Sequence, residues 1–526
     1  MTRRDVERPE IQALARTGFG SLTGATYLLL RVVDAPAAKA WLGSLELTSL
    51  ADLKTQVQEA TQVAMTAAGL QALGVPAHIL GGFAPEFVEG IAGSPNRSQR
   101  LGDTGANAPE HWRWGVGTRE PHVVLMLFAS PERIGERENE ERARAEAHGL
   151  SVIEPLHTAD MGDVEPFGFA DGVSQPSFDW DRARTPGTKA DRAYTNALAL
   201  GEILLGYGNE YGFTADSPTI AASEPNAGLL PVALAPADSR DLGRNGSYVV
   251  FRELSQDVLG FWRWAAKEAE RVGGPVEALA ETMVGRRMSG APLVDFEIGL
   301  DLPGVDPHDR GRNGFLFDSD PNGLSCPIGA HVRRANPRTG DMTATAEGPI
   351  DTLLATLGLT RRLTGDPTSS TLPWEANNTV WPYLRNEDDA IASSRFHRVL
   401  RRGREFGTKV DVKTALDPAT PDPKSGLHFL CLNANIGRQF EFVQGAWLAN
   451  AKFAGLTGEQ DPLLGNREPF PVPPVCPIAQ PTDGFSRPDA EPALRQSSGL
   501  PQFVTVRGGA YFFLPSLAAV KWIASL

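Results

Sequence analysis

The sequence predicts a mixed α and β protein in which one strand–helix–strand theme occurs twice. Three observations lead there. Apolar runs of strand length alternate with amphipathic stretches of helix length in both halves of the 526-residue chain. No short repeat is visible, which argues against solenoids and propellers. Pro-, Gly- and Asp-rich segments, DSPTIAASEPNAGLLP and APADSRDLGRNGS, surround residue 240. The expected division is therefore into two related α+β halves, 1–240 and 241–526.

In chain order, ATYLLLRVV (Ala25–Val33) reads as a strand and AAKAWLGSL (Ala37–Leu45) as a helix. A longer helical stretch is expected over Gln56–Gly69, then an apolar strand over Val123–Phe128. In the second half, YVVFREL follows Gly246-Ser247 as a strand. Ser255 is the expected N-cap of a helix to about Val272, because Val258, Leu259, Phe261, Trp262 and Ala265 form one apolar face. LHFLCLNAN and AYFFLPS are strand-like near the C-terminus. Residues Asn336–Ser394 are rich in Thr, Pro, Asp and Asn and long for a loop, with Asp351–Leu359 their most helical part.

A hydrophobic content of 41% and charged content of 22% are those of a globular protein with a large core. The net charge of −14 argues against nucleic acid or anionic membrane as partner. No run approaches the ~18 apolar residues of a membrane span. No apolar segment follows Arg3-Arg4, so a cytoplasmic location is expected. The three cysteines, Cys326, Cys431 and Cys476, are far apart, which excludes a disulfide framework, a CxxC zinc site and a CxxCH haem attachment.

Common catalytic motifs are missing. GFGSLTG at Gly18 is a near miss to a dinucleotide loop, and there is no GxxxxGK[ST], HExxH or GxSxG. The nine histidines include no i,i+3 or i,i+4 pair. Three stretches remain unusual: EPFGFADGVSQPSFDW around Asp171, CPIGAHVRRANPR around His331, and FHRVLRRGREFG around Arg401. Each has an ordinary reading when taken alone. Asp171-Gly172 is a good hairpin turn, His331 can be a satisfied structural histidine, and the arginine run can be a solvated surface. Together they supply a neutral imidazole, a carboxylate and a guanidinium. Peroxide activation at haem iron uses those three groups: one axial ligand, one acid/base group and one cation for the departing oxygen.

GFADG at 168–172, GAHVRRANPR and RRGREFG resemble the motifs of the dye-decolorising peroxidase family. LGDTGANAPEHWRWG, LGEILLGYGNEYG, LGRNGSYVVFREL, NANIGRQFEFVQGAW and FVTVRGGAYFFLPSL resemble segments of its larger fungal-type and bacterial members, so the likeness runs from about Ile11 to the C-terminus. It implies two ferredoxin-like α+β halves, each an antiparallel sheet with helices, and a non-covalent haem b held mainly by the second. It implies that His331 is the proximal iron ligand, Asp171 the distal acid/base and Arg401 the distal arginine. Arg333 would meet a haem propionate, and Phe169 and Gly172 would lie against the cofactor. Leu427 and Phe429 would line the distal wall. Asp461, or else Glu441, would accept the other N–H of His331.

The partners implied are hydrogen peroxide and aromatic one-electron reductants, small or bulky, with oligomeric state left open. Bulky donors would be oxidised through Trp and Tyr side chains, with Trp374, Trp381, Tyr383, Trp447, Tyr511 and Trp522 as candidates. Two features depart from the family pattern. Glu405 stands where a proline is usual, and the 70-residue spacing from His331 to Arg401 includes an insertion carrying Trp374, Trp381 and Tyr383. A rival reading is a haem carrier, or a protein that releases iron from haem, with little peroxidase turnover.

Overall fold

The computed structural model describes residues 5–182, 197–236, 238–294, 313–317, 319–338, 394–467, 482–489 and 495–526. Its centre is one antiparallel sheet of nine described strands. The first four are β1 (Gly24–Val32), β2 (Ala60–Met65), β3 (Val123–Ala129) and β4 (Leu150–His157). Helix α1 (Ala35–Gly43) follows β1, and α2 (Pro131–Ala147) joins β3 to β4. The spatial order β2-β3-β1-β4 is that of a ferredoxin-like unit. The second set is β5 (Ser247–Gln256), the short β6 (Leu400–Arg401) and β7 (Arg404–Phe406), β8 (Gly426–Asn433) and β9 (Val504–Leu514). Here β6 and β7 pair with β8, β8 with β5, and β5 with β9, which repeats the same order. Phe513 on β9 pairs with Met65 on β2 and makes the two sets continuous.

Both faces of this sheet are buried, so its central strands are largely apolar. Successive residues serve opposite sides. Leu28, Leu30, Val63, Met65, Leu125 and Leu127 enter the core that holds Trp41 and Trp262. Tyr27, Leu29, Ala64, Val124, Met126 and Phe251 enter a second core on the other face. On the first face, α3 (Val258–Val272) buries Val258, Leu259, Phe261, Trp262, Ala265 and Ala269. It is followed by α4 (Val276–Val284).

Two expected elements are corrected. Residues 60–65 of the expected Gln56–Gly69 helix form β2, and a short helix, Ala67–Ala72, follows with Thr66 as its cap. Gln62, a polar residue within β2, is fully buried. Its amide accepts from Leu14 N–H at 2.9 Å and donates to the Thr48 carbonyl at 2.8 Å. The cap of α3 is Asp257, which accepts from Gly260 N–H at 2.8 Å. Ser255 is still in strand β5, paired with Gly426 and Thr505. The expected helix Asp351–Leu359 lies outside the described residues. Among the described residues, no helix is long and apolar enough to cross a membrane.

Candidate active site

The loop carrying Asp171 is a hairpin whose turn lies earlier than the Asp-Gly pair suggested. Val164 bridges Ala170, Glu165 N–H donates to the Phe169 carbonyl at 2.9 Å, and Gly168 N–H returns to the Glu165 carbonyl at 2.8 Å. The turn residue is thus Gly168, at φ 94°, a value that favours glycine. Phe167 packs on Phe261 at 4.6 Å and Phe169 lies parallel to Trp262, so α3 anchors the turn. Asp171 follows the hairpin, with its N–H on the Asp163 carbonyl at 3.0 Å. Gly172, at φ 72°, helps the chain leave, but it does not line the cavity described below.

Arg401 reaches the same place from β6. Its backbone is fixed by pairing with Cys431 on β8 and by a 3.0 Å bond from its N–H to the Gln175 side-chain oxygen. Gly403 lets the strand turn back, because a β-carbon there would collide with the His428 carbonyl. Arg401 Nη1 stands 3.8 Å from Asp171 Oδ1, both side chains about one-third exposed. That is an ion-pair distance too long for a direct hydrogen bond.

His331 opens the short helix α5 (His331–Ala335). Its Nδ1 lies 2.9 Å from Asp461 Oδ2. Asp461 is fully buried, and its Oδ1 accepts the N–H groups of Leu463 and Leu464 at 2.9 and 2.8 Å. Burial alone would push the His331 imidazolium down, but the charge and hydrogen bond of Asp461 outweigh it and the net shift is upward. Burial would raise Asp461 in turn, yet His331, the Leu464 N–H and Arg334 hold it below the ordinary carboxylate value. A proton fixed on Nδ1 leaves the lone pair on Nε2. Glu441, the other expected partner, is engaged elsewhere, by Arg97, Arg100 and Tyr511.

His331, Asp171 and Arg401 line one cavity of about 290 Å³, together with Phe169, Leu427 and Phe429. Arg333 does not. Residues two apart on a helix point to different sides, and Arg333 is buried against Asp320 at 3.1 Å and the Cys326 carbonyl at 2.8 Å. The sequence reading missed the arginines that do line the cavity: Arg252, Arg286, Arg287 and Arg398. Burial lowers Arg398 to about 9. The basic run around Arg401 contained Arg398, but its spacing could not say which arginine turned inward. Glu165 also lines the cavity. Burial pushes its carboxyl up to about 7, against hydrogen bonds from Phe167 N–H, Gln256 and Phe169 N–H and with the charge of Asp171 adding to the rise. Glu405, where the family pattern has proline, pairs with Leu427 across the strands, and burial raises it to about 7. Trp374, Trp381 and Tyr383 lie outside the described residues.

The far wall of the cavity is a widened helix. Glu441 N–H bonds the Ile436 carbonyl and Ala449 N–H the Gln444 carbonyl, both at 2.9 Å and five residues apart. Such π-helical turns often mark functional sites. This one presents Phe440, Val443, Gln444 and Leu448 to the cavity. The residues present fit a haem. The walls are largely apolar, one imidazole offers a lone pair, and five arginines face three carboxylates, a positive excess suited to two propionates.

Comparison with known proteins gives the same direction. No family model matches the chain. The multifunctional dye peroxidase DyP2 of Amycolatopsis sp. is 29% identical over 526 aligned positions, covering 94% of this chain and 91% of that one. The dye-decolorizing peroxidase msp1 of Mycetinis scorodonius is 26% identical, covering 95% and 84%. The chain is thus similar to dye-decolorising peroxidases of bacterial and fungal origin over nearly its whole length. A solved structure of a dye-decolorizing peroxidase with 2,6-dimethoxyphenol superposes with a TM-score of 0.65 at 22% identity, over 99% of this chain and 100% of that one, and shows the shared fold. The family's α+β architecture thus agrees with the doubled strand order seen here.

Proposed function

We propose that this dye-decolorising peroxidase relative binds haem b non-covalently, reduces hydrogen peroxide and oxidises aromatic one-electron donors. The observation that carries the reading is the Asp171–Arg401 pair opening onto the cavity that also receives His331 from its Asp461 support. A haem carrier has no use for a carboxylate and guanidinium held 3.8 Å apart beside its ligand site.

His331 would hold the iron through Nε2, with Asp461 fixing the ring and increasing its electron donation. Arg398 and Arg286 are suitably placed cations for the propionates. Bound haem would supply the iron that receives peroxide and stores its oxidising equivalents. Asp171 accepts a proton from one peroxide oxygen on its carboxylate and returns it to the other. Arg401 stabilises the negative charge that builds on the departing oxygen, which is worth most where water is excluded. Leu427 and Phe429 line the cavity and would favour entry of a small oxidant over a dye.

Bulky donors would then give electrons through the protein. An aromatic path supports this: His397 lines the cavity and stacks on Phe442 at 3.7 Å, and Trp447 sits edge-on to both at 5.2 and 5.3 Å. Phe442 is 36% exposed and reaches the surface. The donor class follows the relative that binds 2,6-dimethoxyphenol. The haem-loaded chain should oxidise 2,6-dimethoxyphenol only when peroxide is present, and no peroxide-dependent oxidation of any aromatic donor would refute the reading.

A further inference from the structure

We propose that Tyr511 and Glu441 form a buried redox pair, in which Tyr511 gives up an electron toward the haem cavity and passes its hydroxyl proton to Glu441. The inference rests on the peroxidase reading, since peroxide supplies the oxidising equivalent. Tyr511 is on β9 and is 2% exposed. Its hydroxyl donates to Glu441 Oε1 at 3.0 Å. One ring separates it from the cavity. Phe440, which lines the cavity, lies 6.2 Å from Tyr511 edge-on, and Phe429, also on the cavity wall, lies 6.3 Å from Phe440.

A buried tyrosine needs only a neutral acceptor to satisfy its hydroxyl. Here the acceptor is a carboxylate with a charge network behind it. Arg97 Nε donates to Glu441 Oε1 at 2.8 Å and Arg100 Nη2 to Oε2 at 3.2 Å. Arg97 also pairs with Glu89 at 2.7 Å. Arg252 of β5, itself paired with Asp103 on the cavity wall, completes the charges sensed by Tyr511. Burial, then the charge of Glu441, raise the Tyr511 phenol well above its ordinary value, so it is protonated before it reacts.

Loss of an electron alone would leave a cation radical in a buried site, which is costly. Transfer of the proton along the 3.0 Å bond avoids it. The products are a neutral phenoxyl radical and a neutral carboxylic acid, and the electron cancels one oxidising equivalent in the cavity. Arg97 keeps Glu89 as its partner when Glu441 is protonated, and Arg100 is largely solvated, so neither cation is stranded. An external donor then returns the electron, and Glu441 returns the proton.

The haem-loaded chain is mixed with one equivalent of peroxide without donor, freeze-quenched and examined by electron paramagnetic resonance. Its Soret band is followed in parallel. A tyrosyl signal is expected that narrows with ring-deuterated tyrosine, disappears in Tyr511→Phe and falls in Glu441→Gln, while the Soret response to peroxide persists in all three. Tyr511→Phe removes a single oxygen and decides the matter if Glu441→Gln does not fold. A normal Soret response with no tyrosyl signal, or with the same signal in Tyr511→Phe, overturns the redox pair and leaves the peroxidase reading standing. A parent Soret band indifferent to peroxide overturns both.

Discussion

Replacing Asp461 by Asn tests how the chain prepares His331 for a metal. The buried carboxylate serves three donors: His331 Nδ1 at 2.9 Å on one oxygen, and the Leu463 and Leu464 N–H groups at 2.9 and 2.8 Å on the other. An amide has one acceptor oxygen for those three. If the oxygen stays on the two backbone groups, the amide N–H₂ faces Nδ1, which must then accept. The ring proton moves to Nε2, the nitrogen needed by iron. If the oxygen turns to His331, two buried N–H donors face an N–H₂ group, at about 1–3 kcal/mol for each unsatisfied donor. Either outcome costs binding on the order of 1.4–2.7 kcal/mol, a loss of about 10–100-fold in metal affinity. Haem titration of the apoprotein, followed at the Soret band, measures this directly. An unchanged dissociation constant and unchanged iron–histidine vibration in Asp461→Asn would refute the argument.

Other expectations can be checked alongside. Asp171→Asn and Arg401→Leu should each keep the haem spectrum but slow the first reaction with peroxide by about 10²–10⁴, read by stopped flow. Arg333→Leu should lower stability by about 3 kcal/mol, because it removes the cation from the buried Asp320 carboxylate and leaves that charge to the N–H groups of Leu324, Ser325 and Cys326. The folded fraction should keep its haem affinity, since Arg333 does not line the cavity. Arg398→Ala should instead weaken haem binding, read in the same Soret titration of the apoprotein. The Glu165 carboxyl is raised from 4.5 to about 7 in the folded chain. The folded state therefore binds more protons than the unfolded one, and this group's contribution to stability falls as pH rises from about 4.5 to 7, by at most ~3 kcal/mol. Glu165→Gln should raise the apoprotein's melting temperature more at pH 8 than at pH 5, and an equal change at both would contradict the assignment.

The strands were the readable part of the fold, because a sheet buried on both faces leaves long apolar runs such as YLLL and VVLMLF. β2 escaped because Gln62 finds its partners in Leu14 and Thr48, distant residues that no local period reveals. Ser255 was the expected cap, two residues before the observed cap Asp257, and its place in the strand pairing is not visible locally. In the site, motif resemblance drew attention to His331, Asp171 and Arg401, and the structure brings all three to one cavity. Asp461 could be named but not separated from Glu441, since both are buried carboxylates in the same region of sequence and their partners are remote. Arg333 was misplaced because proximity to His331 in sequence says nothing about which side of a helix it takes. The cavity arginines 252, 286 and 398 come from three separate segments, and their convergence is a property of the packed chain.

The most direct test of the account is a single turnover. The purified chain is loaded with ferric haem and mixed with one equivalent of hydrogen peroxide, and its Soret band is followed in the parent, Asp171→Asn and Arg401→Leu. The account predicts a rapid spectral change in the parent and a change slowed by about 10²–10⁴ in each variant. A chain that binds no haem, a parent band unaltered by peroxide, or equal rates in all three proteins would contradict it.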